Sequence, residues 1–300
     1  MGQRGAEGMA KLLNCFYMTV RSFDLKMLFL LVIFPLLLVL ALAGCSDHPD
    51  KTTTNSTAVS PTVANLNFSV GKVYKHDTTS YTEGLLFHDH QLFESSGATS
   101  EDPETRSIAG VVNMNTGKID KKVELDKNRY FGEGIVFFKD KLYQLTYKNQ
   151  TGFIYDAATY KRIDSFRYQN AEGWALTTDS NLLIMSDGTS SLTYLDPASL
   201  KPVKTLAVTE DGVALDSLNE LEYIKGYIYA NRYLKNYIVK IDPATGNVVA
   251  KIDLSSLVEA DHVKNPNGDV LNGIAYDRDN DKIYVTGKLW ASIYQVNFAH

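Results

Sequence analysis

The chain has 300 residues, 44% of them hydrophobic and 11% aromatic with 18 tyrosines, enough for one large or two ordinary packed domains. A formal charge of −5 gives no basic surface for nucleic-acid phosphates, so nucleic acid is excluded as a partner, and an imbalance this small is a solubility feature. Both cysteines, Cys15 and Cys45, lie near the N-terminus, so the body of the chain has neither a disulfide nor a cysteine nucleophile.

Arg21 and Lys26 lead into an apolar run, Met27–Gly44, "MLFLLVIFPLLLVLALAG", followed by "CSDHPD". A basic start, an apolar stretch and a small-residue exit make an export signal. The run is also long enough to span a bilayer as an uncleaved anchor. Its exit, "LAGC", resembles the bacterial lipoprotein signal, in which the cysteine is lipidated and becomes the first mature residue. A signal over residues 1–45 with lipidation at Cys45 is therefore expected. Ser46 rather than aspartate follows, so a periplasm-facing anchor is expected, in the outer membrane if the envelope is Gram-negative. Met9 and Met18 are alternative starts. Residues 46–66 are rich in Thr, Ser and Asn and read as a flexible tether.

From residue 67 strand signals recur, and no segment carries a helical period. Five copies of an opening motif align: "TEGLLF" at Thr82, "GEGIVF" at Gly132, "AEGWAL" at Ala171, "LNELEY" at Leu218 and "LNGIAY" at Leu271. Each is followed by a polar turn, a second strand and a third. The first four also have a fourth strand, whereas the fifth copy stops at "SIYQVNFAH". Four strands per repeat of roughly forty to fifty residues is the pattern of propeller blades. An orphan strand, "NFSVGKVYKH", precedes the first motif and matches the missing one. The expectation is an all-β fold, a five-bladed β-propeller over 67–300, whose last blade is closed by the N-terminal strand. Closure removes an edge that invites aggregation.

In a propeller the first strand of each blade lines the central channel. The aligned column is Glu83, Glu133, Glu172, Asn219 and Asn272, expected to converge near the channel mouth. Glutamate beside glycine is out of place inside a strand on propensity alone. A ring of carboxyls is costly unless one keeps its proton or a cation sits among them, so a structural cation in the channel stays open. The alternative for any one member is a structural hydrogen bond to the next blade.

The runs "YTEGL", "FESSG", "YFGEG", "TGFIYD", "EGWAL", "SDGTS", "LNELEY", "DVLNGIAYD" and "VTGKLW" occur in order between Tyr81 and Phe298. Together they resemble the plant-type (type I) glutaminyl cyclases, also called glutaminyl-peptide cyclotransferases, which are five-bladed propellers. The resemblance implies cyclisation of an N-terminal glutamine to pyroglutamate with release of ammonia, with no cofactor required. It implies Glu133 as the acid/base, Asn219 and Lys288 as its polar partners, and an aromatic pocket containing Trp174. Two further pocket positions, tryptophans in plant members, are Tyr147 and Tyr233 here, which keeps flat amphipathic rings but less apolar area. Glu83, where many members carry Gln, Glu94 in "FESSG", Glu172 and Asn272 complete the candidate substrate-binding set. Peptides or proteins with N-terminal glutamine are the expected partners, and the protein is expected to act as a monomer. Two other classes fit the fold: a metal-dependent lactonase-like hydrolase with calcium on the channel residues, and a non-catalytic binding propeller of the envelope.

Overall fold

The structure is a computed structural model that describes residues 63–300. The apolar run Met27–Gly44, Cys45 and the tether up to residue 62 lie outside the described residues. Two strands precede the first blade, β1 (Ala64–Asn65) and β2 (Ser69–Lys75). Blade 1 comprises β3 (Tyr81–His88), β4 (Gln91–Gly97), β5 (Ile108–Val112) and β6 (Ile119–Glu124). Blade 2 comprises β7 (Gly132–Phe138), β8 (Lys141–Thr146), β9 (Thr151–Asp156) and β10 (Arg162–Arg167). Blade 3 comprises β11 (Leu176–Thr178), β12 (Leu183–Met185), β13 (Ser191–Leu195) and β14 (Pro202–Ala207), and a small hairpin, β15 (Thr209–Glu210) and β16 (Val213–Ala214), follows it. Blade 4 comprises β17 (Leu218–Ile224), β18 (Tyr227–Arg232), β19 (Tyr237–Ile241) and β20 (Val248–Asp253). A helix, α1 (Ser255–Lys264), leads to blade 5, made of β21 (Leu271–Asp277), β22 (Lys282–Gly287) and β23 (Ser292–Asn297).

Within each blade consecutive strands pair antiparallel, from the channel outward. The innermost strands β3, β7, β11, β17 and β21 stand beside one another in a ring, with β21 against β3. The inner strands β7 and β21 are buried along their whole length, and each carries an unbroken apolar stretch past its glycine, Ile135–Phe138 and Ile274–Tyr276. The outer strand β10 buries only Phe166. The core lies between blades. Ile224, Tyr229, Ile238 and Ile252 of blade 4, for example, pack against Ile274, Ile283, Val285 and Tyr294 of blade 5.

The ring closes as expected. β2 pairs antiparallel with β23, from Ser69 opposite Asn297 to Lys75 opposite Ser292, and supplies the missing fourth strand of blade 5. A buried clasp reinforces the seam. His76, just beyond β2, contacts both carboxyl oxygens of Glu94 through Nε2, at 3.0 and 3.1 Å, and its Nδ1 hydrogen-bonds to the Trp290 carbonyl at 2.8 Å. Burial alone would push His76 down. The Glu94 carboxylate and the hydrogen bonds to it and to Trp290 outweigh burial and hold the imidazole above its ordinary range.

Two features depart from the sequence reading. The end of the expected tether is part of the sheet: β1 runs parallel to β20, and Leu66 N–H donates to the Lys251 carbonyl at 2.8 Å. The helix α1 was not expected. Its sequence, "SSLVEADHVK", has no amphipathic period because it buries only Leu257 and Asp261. The Asp261 carboxylate accepts from Ala291 N–H at 2.8 Å and from the Tyr294 hydroxyl at 3.3 Å, so tertiary contacts hold the helix against blade 5.

Candidate active site

The out-of-place glutamates mark a distortion shared by four of the five innermost strands. In β3, Thr82 pairs with Ser96 and Gly84 with Ser95, which leaves Glu83 as an extra residue. The same one-residue excess lies at Glu133–Gly134 in β7, at Asn219–Glu220 in β17 and at Asn272–Gly273 in β21. These are β-bulges, which re-aim a side chain that a regular ladder would fix to one face. At Gly134 a Cβ would come within 2.5 Å of the Ala175 Cα, so only glycine lets blades 2 and 3 approach at this point.

Blade 3 has a different register from the sequence alignment. Trp174 N–H donates to the Ser186 carbonyl, and Ser186 N–H donates to the Ala175 carbonyl. Trp174 and Ala175 thus share one partner, and Trp174, not Glu172, takes the bulge position. Glu172 sits two residues earlier, outside the strand. Its carboxylate accepts from Trp174 Nε1 at 2.9 Å and lies 3.5 Å from the Lys148 ammonium. It orients the indole at the rim. Gly188, with φ of 79°, leaves room for that indole, since a Cβ there would meet the ring at 2.6 Å.

A cavity of about 600 Å³ opens at the N-terminal ends of the innermost strands. Glu83, Glu133, Asn219 and Lys288 line it, with Tyr147, Trp174 and Tyr233 around them. Seven of the candidates therefore share one site. Trp174 meets Tyr233 edge to face at 5.6 Å, and Tyr147 stands 5.9 Å from Phe131. Sequence reasoning missed three wall elements. Tyr81 and Phe131 each lie two residues before a bulge glutamate, and that spacing, which puts them on the same side of the strand, was the available signal. The loop carrying Thr99 and Glu101 had no such signal.

The floor is an arrangement of three ionisable groups. The Lys288 ammonium is in direct contact with the Glu83 carboxylate and lies 4.4 Å over the Tyr81 ring. Glu83 in turn shares a hydrogen bond with Glu133. All three are nearly fully buried, at 3–4% exposure. Burial pushes both carboxyls up. Lys288 offsets much of this at Glu83, whereas at Glu133 the Glu83 charge adds to it and drives the pKa well above the usual carboxylate range. The proton of the pair therefore sits on Glu133 and the charge on Glu83. Asn219 is 3% exposed, and its Oδ1 has no hydrogen-bond partner. Of the two alternatives the sequence offered, a carboxyl that keeps its proton or a cation among the carboxyls, the raised pKa of Glu133 matches the first, and the Lys288 ammonium adds a positive charge beside Glu83. No group of three or more His, Cys, Asp or Glu among the described residues is placed to hold a metal ion.

Two candidates lie elsewhere. Glu94 belongs to the His76 clasp, where it also accepts from the Ser80 hydroxyl and, at 2.8 Å, from the Thr82 hydroxyl; its burial behind β3 keeps it out of the pocket. Asn272 donates through Nδ2 to the Thr82 carbonyl at 2.9 Å and ties blade 5 to blade 1, which is the structural alternative. Glu220 plays a similar part unforeseen in sequence. Its two oxygens accept from Leu85 N–H at 3.1 Å and Ile274 N–H at 2.8 Å, and burial pushes its pKa well up. Glu222 faces a second cavity of about 390 Å³ at the opposite end of the channel, accepts from Tyr276 N–H at 2.9 Å, and is pushed by burial to about 8.

The family described as glutamine cyclotransferase matches residues 36–298. The chain is 37% identical over 225 residues to a glutaminyl-peptide cyclotransferase of Arabidopsis thaliana, covering 74% of this chain and 68% of the plant protein. It is also similar to the crystal structure of Myxococcus xanthus glutaminyl cyclase, with a TM-score of 0.71 and 32% identity over 79% of this chain and 98% of that one.

Proposed function

The chain belongs to the glutamine cyclotransferase family, and on that premise we propose that it is a glutaminyl-peptide cyclotransferase that closes an N-terminal glutamine to pyroglutamate. The observation that carries the residue roles is the buried Lys288–Glu83–Glu133 series beside Asn219 in an aromatic pocket.

The reaction forms a bond from the substrate α-nitrogen to its side-chain amide carbon and breaks the bond from that carbon to the amide nitrogen. One proton must leave the attacking amine and one must reach the departing ammonia. Glu133 does both in its ionised form, reached once the proton it holds at rest has been lost: its carboxylate accepts the amine proton, and the resulting acid gives it to the amide nitrogen. A raised pKa suits this, because the acid form is stable enough to hold the proton between the two steps. Asn219 Oδ1, buried without a partner, accepts from a substrate N–H and fixes the glutamine head. Lys288 acts through Glu83 and keeps that neighbour ionised. Trp174, Tyr233, Tyr147, Phe131 and Tyr81 enclose the glutamine and exclude water, which favours the folded near-attack geometry.

The test is ammonia release from a Gln-initiated peptide. Glu133→Gln is expected to lower kcat by about 10²–10⁴ while binding is retained, and a chelator is expected to change nothing. Full activity in Glu133→Gln would refute the assignment. A chelator-sensitive enzyme would instead favour the metal-dependent hydrolase. The monomer is proposed as the working unit. The "LAGC" exit supports a lipid anchor at Cys45 and an envelope location. Loss of membrane association in Cys45→Ser is the expected result, and unchanged fractionation of that variant would refute the anchor.

A further inference from the structure

We propose that the groove between the Glu101–Asp102 loop and Asp269 receives the substrate residues that follow the glutamine, and that it selects lysine or arginine there. The proposal rests on the cyclase reading and names a substrate class for it.

The groove has a volume of about 610 Å³, and Tyr81, Thr99, Glu101, Asp102 and Asp269 are among its lining residues. Tyr81, Thr99 and Glu101 also line the catalytic pocket, so the two cavities adjoin across a shared wall. The orphaned Asn219 Oδ1, buried in the catalytic pocket, marks where a polar ligand atom docks. A substrate held there by its N-terminal residue must run its remaining residues out across the pocket wall, and the groove is the concave continuation of that wall.

Charge on the two sides of the mouth differs. On the side of blades 2 and 3, Glu172 is matched by Lys148 at 3.5 Å. On the other side, among the described residues, Glu101, Asp102 and Asp269 take part in no ion pair. Asp269 is also rigidly placed. Its backbone N–H donates to the Lys288 carbonyl at 2.8 Å and its carbonyl accepts from Trp290 Nε1 at 2.8 Å. Its side chain accepts from the Tyr81 hydroxyl at 3.1 Å and from Val270 N–H at 2.8 Å. Three carboxylates facing one groove, none of them in an ion pair, complement an extended cationic side chain. An acidic side chain at the same substrate position meets repulsion from all three.

The experiment compares kcat/KM for Gln-initiated peptides carrying Lys, Ala or Glu at the second and third positions, using the full chain at low ionic strength and again in about 0.5 M salt, where surface charges are screened within a few ångströms. Exposed ion pairs are worth roughly a 1.5- to 5-fold factor each, so lysine peptides are expected to lead alanine peptides by about five-fold, mainly through KM. Glutamate peptides are expected to trail. Salt is expected to bring the ratio towards one, as is the Glu101→Gln/Asp102→Asn double variant. Equal kcat/KM for the three peptides in the wild type would overturn the proposal without needing any variant, and so would a preference that the double variant keeps. If the folded wild type cyclises none of them, alanine peptide included, then the cyclase reading fails and takes the subsite with it. Turnover of the alanine peptide without a preference sinks the subsite alone.

Discussion

Glu133 holds its proton because burial penalises its charge and the neighbouring Glu83 is already ionised, while the Lys288 ammonium that favours ionisation is engaged with Glu83. Glu83→Gln removes the carboxylate and leaves Lys288 facing Glu133 alone. The pKa of Glu133 is then expected to fall, so the acidic limb of the kcat/KM profile moves to lower pH. An unmoved limb would mean that another group, such as the substrate amine, sets it. Glu222 offers a second residue-level test, this time of stability. Its pKa is about 8 in the fold against 4.5 in the open chain, so its stabilising contribution is complete below pH 4.5 and is lost as the pH rises to about 8. Glu222→Gln, which keeps an acceptor for Tyr276 N–H, is expected to match the wild type near pH 4.5 and to melt higher at pH 8 and above. Parallel Tm–pH curves for the two proteins would show that Glu222 ionises freely in the fold.

In the innermost strands, one extra residue decides which side chains see the channel. A one-residue change of register flips side chains between faces, so the bulges let apolar strands present Glu83, Glu133 and Asn219 at one end while the rest of each strand stays in the core. The His76–Glu94 clasp acts at the same scale, joining β2, β4 and the turn before β23. Breaking a buried pair by removing one partner costs about 3–5 kcal/mol, and Glu94→Gln is expected to approach that. A histidine pKa raised in the fold stabilises fully below the unfolded value of 6.5 and loses that stabilisation as the pH rises through the folded value. The penalty of Glu94→Gln is therefore expected to be largest in the acid range, below pH 6.5, and smaller in alkali. A penalty that grows with alkalinity would mean the clasp is neutral.

For the whole molecule, closure is the requirement. Each blade buries its faces against two neighbours, and blade 5 lacks an outer strand until β2 arrives from the far end of the chain. A chain beginning at Asp77 has every residue of the pocket and no β2. It is expected to aggregate, whereas one beginning at Val63 is expected to be soluble and to melt cooperatively. A soluble, active protein from the shorter chain would show that the ring tolerates an open edge. The blade count, the split last blade and the polar column were legible in the sequence, because strand alternation, turn residues and a repeat are local patterns that survive without knowledge of contacts. The sequence by itself also determined the chemistry on offer: Glu133, Asn219, Lys288 and an aromatic set on successive repeats. Only the tertiary structure decided how these are used. It moved the third blade by two residues so that Trp174 replaced Glu172 at the bulge, sent Glu94 and Asn272 to hold blades together, and brought Lys288 of blade 5 onto Glu83 of blade 1. Register, burial and pairing between blades depend on residues far apart in the chain, and those same contacts determine where a proton or a charge resides.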